Sequence, residues 1–229
     1  DIDLYAPFVA SVFGADGNAR AAIPFALADG SALATAPVAD AFVQLLALPD
    51  AHFGAEEVLS LLASPALAER FGLEHNDFAS LREWLQAAGA RWGLDAAHRR
   101  ELEGNDERAF SWAWALDRLL LGHASGSDAD IGGIAPLPLL EAGQIAMLDR
   151  FLQGLRRLAH WQRALSAARA PEEWGQALAQ LVADFFPERA HEAGDRAAID
   201  ELRALAACFA RQAQDAGMDA AVPASVLRA

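Results

Sequence analysis

Between residues 141 and 216 the apolar side chains return every three or four positions, with short breaks near residues 170 and 190. Ile145, Leu148, Leu152, Leu155 and Leu158 form one such stripe, Trp174, Leu178, Leu181, Val182 and Phe185 a second, and Ile199, Leu202, Leu205 and Phe209 a third. That spacing is the period of an α-helix and puts each set on one face. It predicts helices over 141–168, 171–186 and 192–216, and three amphipathic helices on short links must bury their stripes on one another as a bundle.

The preceding residues show the same period in shorter pieces. Helices are predicted over 4–13 (Tyr5, Phe8, Val9, Val12 and Phe13, stopped by Gly14), from Thr35 or Pro37 to about Leu48, and over 55–63. Ser64 and Pro65 read as an N-cap and first helical position with Gly72 as the stop, and Asn76 or Asp77 caps 78–88 ahead of Gly89. Residues 107–122, with Phe110, Trp112, Trp114, Leu116 and Leu119 to Leu121, are apolar on nearly every side, as expected of a central helix enclosed by others. A loop at 123–136 divides a first helical group, 32–136, from a second, 137–229, although 31–229 also fits one domain. The fold class is mainly α, with one short β segment near 23–27, Ile-Pro-Phe-Ala-Leu, for which no convincing second strand follows.

The chain has 229 residues, enough for a sizeable core. Its single cysteine, Cys208, rules out an internal disulfide and a thiolate metal cluster, which fits a reducing bacterial cytoplasm. No apolar run is long enough to span a membrane, and no secretory leader pattern is present. All 18 basic residues are arginine, and the first residue is Asp rather than Met, as expected of a piece of a longer polypeptide. The formal net charge of −14 opposes binding to bulk nucleic acid, because phosphate neutralisation dominates that affinity.

Catalytic signatures are missing. Without lysine no phosphate-binding loop of the Gly-x-x-x-x-Gly-Lys type exists, and no dinucleotide fingerprint follows the strand. The six histidines are scattered, so no metal site is expected. Ser125 in Gly122-His-Ala-Ser-Gly sits one place late for a nucleophile elbow, and Asp128 and Asp130 lack the further oxygen ligands of a calcium loop. No cofactor is implied.

Arginines and tryptophans interleave along the middle of the chain, and stacking aromatics with arginines is the chemistry of single-strand grooves. Core filling with arginines on the rim explains most of them, since Trp is usually largely buried. Arg91, Trp92, Arg99 and Arg100 are the least core-like, because they follow Gly89 outside any clear amphipathic stripe, and they are the candidate DNA or partner contacts.

The order of segments carries a resemblance. "YAPFVASVFG", "IPFALADGS", "LLALPDAHFGAEEVLSLLASPALAERFGL", "LREWLQAAGARWGLDAAHRREL", "WALDRLLLGHASG", "GGIAP", "EEWGQALAQLVADFF" and "AVPASVLR" resemble, in this order from Tyr5 to Arg228, the middle of the RecC family, gamma subunits of bacterial exodeoxyribonuclease V. "ARWGLDAAHRREL" is the most specific piece. The resemblance implies an inactivated helicase-like subunit in which residues 1–31 are the tail of a motor-like domain and the helical remainder is the insertion called 2B. The strand's partners would then lie upstream. The family pattern often has Asp-Arg where Asp29-Gly30 stands here.

By the same resemblance, the intact subunit joins RecB-like and RecD-like subunits in a heterotrimer that processes DNA breaks for recombinational repair and scans for the Chi sequence. No Chi-reading residue maps onto this chain. The leading reading is a noncatalytic structural and partner-binding domain. The alternatives are a free-standing helical protein-interaction module and a single-strand DNA binder.

Overall fold

The computed structural model describes residues 37–104 and 106–227. The predicted helix at 4–13 and the β segment at 23–27 lie outside the described residues. Within them the protein is mainly helical, as expected, and the only β pairing is two isolated bridges, Ile131 with Ile134 and Arg169 with Val222.

Helix α1 spans Pro37–Leu46 and buries Val38, Ala41, Leu45 and Leu46. A 3-10 turn, Leu48–Asp50, follows with Pro49 in its first turn. Helix α2, Ala55–Leu62, starts where the Glu57 carboxylate accepts the Gly54 backbone N–H at 3.2 Å. Helix α3, Pro65–Phe71, begins at the predicted proline, but the Ser64 hydroxyl does not cap it and is buried without a partner. Helix α4, Asp77–Ala88, and α3 both end on a left-handed glycine, Gly89 and Gly72, with the next N–H (Ala90, Leu73) returning to a carbonyl of the last turn.

Helix α5, Ala96–Glu103, is invisible to hydrophobic periodicity because the residues it buries are His98 and Arg99. Its start is nonetheless written in the chain: the Asp95 carboxylate accepts the His98 N–H at 2.8 Å, and Gly104 ends it.

Helix α6, Trp112–Ser125, corrects the expected helix at 107–122 at both ends. Ser111 caps it, its hydroxyl accepting from Trp114 N–H at 3.3 Å, and residues before it form a loop in which Phe110 has φ 63°. Nor is α6 enclosed on all sides. It buries Trp112, Ala115, Leu119 and Gly122, while Leu120 is 42% exposed. A run that is apolar all round carries no phase, so packing alone selects which face is covered.

Helices α7 (Ile145–Ser166, after a 3-10 turn at Ala142–Gln144), α8 (Pro171–Phe185) and α9 (Ala193–Asp215) follow the predicted segments closely. A short α10, Ala224–Leu227, ends the described chain. Helices α8 and α9 form the most extensive helix pair, α1 packs on α9, and α3 touches both α7 and α8. One contiguous cluster of buried side chains joins the two helical groups. Two ring contacts cross between them: Trp112 with Phe151 at 5.8 Å and Phe71 with Phe185 at 6.1 Å. Gly122 allows the chain to return over α6, since a Cβ there would sit 2.2 Å from the Leu137 backbone.

Candidate functional site

Residues 90–94 run between two loops and are stitched to both. Ala55 N–H donates to the Arg91 carbonyl and Arg91 N–H to the Phe110 carbonyl, at 2.8 and 2.9 Å. Gly93 N–H donates to His52 O, and the Gly93 and Leu94 carbonyls accept from Trp112 and Ala113 at the start of α6. This segment therefore ties α2, α4 and α6 together by backbone hydrogen bonds.

Arg99 closes the arrangement. Its guanidinium donates to the Trp92 carbonyl through Nη2 at 2.7 Å and Nε at 3.2 Å, and through Nη1 to the carbonyls of Glu107 and Ala109 at 2.8 and 2.7 Å. It also lies over the Trp92 ring, 4.5 Å from the centroid. Arg99 is 3% exposed, which corrects its reading as one of the least core-like residues. The five-donor fork of arginine suits this task, because one buried side chain donates to three carbonyls from two segments.

The four candidate residues thus share a neighbourhood without forming one open face. Trp92 is partly buried beneath the Arg99 guanidinium. Arg100 is exposed and paired with Asp106 at 3.2 Å. The Arg91 side chain is exposed, while its backbone is held on both sides.

The wider interleaving resolves into intramolecular stacks. Arg118 lies over Trp114 at 4.7 Å while donating to Ala88 O and Ala135 O, and Arg169 lies over Trp174 at 5.0 Å. Trp84, Trp112, Trp161 and Trp174 are buried, with Trp112 Nε1 donating to Phe53 O and Trp174 Nε1 to Val222 O, both at 2.8 Å. His98, 6% exposed, packs edge-on against Phe53, and burial pushes its imidazole pKa below the ordinary value.

A second location gathers positive charge that the chain as a whole lacks. A cleft of about 580 Å³ opens between α3, α7 and α8, lined by Arg70, Arg156, Arg157 and His160 around Asp184. Asp184 pairs with Arg157 at 2.5 Å and accepts the Trp161 indole N–H at 2.9 Å. Arg156 and Arg157 belong to the arginine and tryptophan interleaving of the sequence, whereas Arg70 lies on a distant helix and carries no local signal. Among the described residues no three His, Cys, Asp or Glu side chains come together as a metal site, and no helix is long and apolar enough to cross a membrane.

Comparison with known proteins gives this architecture a lineage. The family model for the RecBCD enzyme subunit RecC fourth domain matches residues 35–229. RecBCD enzyme subunit RecC of Escherichia coli K12 is 37% identical over 231 aligned positions, covering all of this chain and 20% of that protein. The RecC subunits of Haemophilus influenzae and Mycobacterium tuberculosis H37Rv are 31% and 29% identical, over 81% and 78% of this chain. The chain spans between 16% and 20% of the length of these relatives. With a match that runs through every helix described above, the chain belongs to the RecC family and corresponds to its fourth domain.

Proposed function

We propose that this helical domain is a noncatalytic structural and partner-binding part of a RecC-type subunit, working in the bacterial cytoplasm within a RecBCD helicase/nuclease that processes double-strand breaks for recombinational repair. The observation that carries the reading is the family match over 35–229. The side-chain chemistry supports it. Arg99, Arg118, Arg196 and Arg203 direct N–H donors at backbone carbonyls of their own chain, so much of the cationic content holds loops in place. Arg91 and Arg100, both exposed, are the members of the predicted set available to partner subunits or DNA, with Arg99 and Trp92 fixing the backbone that presents them.

The test is co-expression of the chain with RecB-like and RecD-like subunits, followed by purification on a tag carried by the chain. Co-purification, with no ATPase or nuclease turnover from the chain alone, is the expected result. Turnover by the isolated chain that disappears on substitution of one of its residues overturns the noncatalytic part, and failure to recover either subunit overturns the partner-binding part.

A further inference from the structure

The cleft between α3, α7 and α8 has a chemistry of its own. Gln153, Arg156, Arg157 and His160 stand at i, i+3, i+4 and i+7 of α7, so they form a single polar stripe along the helix. Arg70, in the last turn of α3, faces that stripe and reaches across to the Ala183 carbonyl of α8 at 3.5 Å. Three arginines therefore look into one cleft that holds one carboxylate, in a chain whose formal net charge is −14. Among the described residues Arg70 and Arg156 take part in no ion pair, and both are exposed.

The single carboxylate already inside shows what the cleft accepts. Asp184 engages Arg157 and the Trp161 indole together, which is carboxylate recognition by a charge and a neutral donor. Arg156 offers the same planar fork beside it, and Arg70 offers another with one of its donors already turned to the Ala183 carbonyl. A single nucleic-acid strand fits less well. Its bases need exposed aromatic faces, and the cleft's one phenyl ring, Phe71, is engaged edge-on by Phe185, while Trp161 is buried. The formal net charge of −14 on the chain also opposes a phosphate polymer more than a short segment of lower charge density.

We propose that this cleft is a docking site for an acidic peptide segment of a partner protein, whose carboxylates pair with Arg70 and Arg156 beside the Arg157–Asp184 pair. The proposal rests on the partner-binding reading above and gives that reading a surface and a chemistry.

The test titrates the whole 229-residue chain at low ionic strength with a short fluorescein-labelled peptide alternating Glu and Ser, and in parallel with a thymidine oligonucleotide of matched length. Saturable peptide binding is expected, weakened about tenfold by Arg156→Glu, less by Arg70→Gln, and unchanged by Arg211→Glu, an exposed arginine of α9 outside the cleft. Arg156 makes no hydrogen bond to the described residues, so its substitution leaves folding intact, which an unchanged thermal midpoint checks. Absence of peptide binding, binding insensitive to Arg156→Glu, or preference for the oligonucleotide at an Arg156-dependent site overturns the proposal. So does subunit assembly that Arg156→Glu leaves unweakened. A chain that joins the subunits but fails the peptide arm loses the cleft and keeps the partner-binding reading. A chain that binds peptide through Arg156 but recovers no subunit loses that reading instead.

Discussion

Arg99 stacks its guanidinium on the Trp92 ring at 4.5 Å and, with the same group, donates to the Trp92 carbonyl at 2.7 Å. One residue is thus held by face and by backbone at once. The remaining donor, Nη1, reaches forward to the 107–109 loop, so the contact locks the entry to α6 against the exit from α4. Removing the fork takes four hydrogen bonds from three carbonyls and leaves a gap in the interior. Arg99→Met is expected to lower stability by about 2–4 kcal/mol in urea unfolding. Arg99→Lys should recover little, since an ammonium cannot reproduce the planar set of donors. A Lys variant as stable as the parent would show that charge alone matters there.

Asp184 links α7 to α8 through Arg157 and the Trp161 indole N–H. Asp184→Ala leaves that buried indole donor unpaired and is expected to cost about 1–2 kcal/mol. Asp184→Asn keeps an acceptor for Trp161 and should cost less. Thermal midpoints of the two variants, measured side by side, check the order.

Gly122 on α6 meets the Leu137 backbone, where an added Cβ would stand 2.2 Å away. Main chain cannot step aside as a flexible side chain can. Gly122→Ala is therefore expected to destabilise by about 2–3 kcal/mol despite alanine's better helix propensity, with chemical denaturation as the readout. A stabilised variant would show that the 137 segment moves freely.

Burial lowers the His98 pKa from its ordinary value of 6.5, against the opposing pull of Asp95 and Glu101 and with smaller lowering contributions from His52 and Arg163. The unfolded chain then takes up a proton at a higher pH than the folded one. Stability is expected to fall as pH drops below about 6.5 toward the folded-state value, and to be insensitive to this group above it. His98→Gln should flatten that part of the pH profile, measured as urea midpoints between neutral and mildly acidic pH. An unaltered slope would place the titration elsewhere.

Long helices were legible because their period repeats. The stripes of α7, α8 and α9 run through several turns, and the structure moves their ends by a few residues only. Helix α5 was not legible, since its buried face is His98 and Arg99 and a hydrophobic stripe is absent by construction. Capping logic at Asp95 and Gly104 was the available signal. The predicted start of α6 fell short for a different reason. Asp106 and Ser111 both read as N-caps, and the structure uses Ser111, whose hydroxyl accepts the Trp114 N–H. The four candidate contact residues were singled out as the least core-like, but Arg99 turned inward, and the cleft built from Arg70, Arg156 and Arg157 emerged only from the packing of α3 on α7.

By itself the amino-acid order determined the mainly helical class, the Pro starts of α1, α3 and α8, the left-handed stops at Gly72 and Gly89, and the faces of the long helices. These features depend on neighbours a few positions away, which a single sequence displays. Tertiary structure decided which side of the apolar α6 is covered, that a charged arginine belongs in the interior, and where positive charge gathers on an acidic chain. Each of those outcomes depends on groups brought from distant segments. Arg99 is stable inside because carbonyls of Trp92, Glu107 and Ala109 converge on it, and no local pattern announces that convergence.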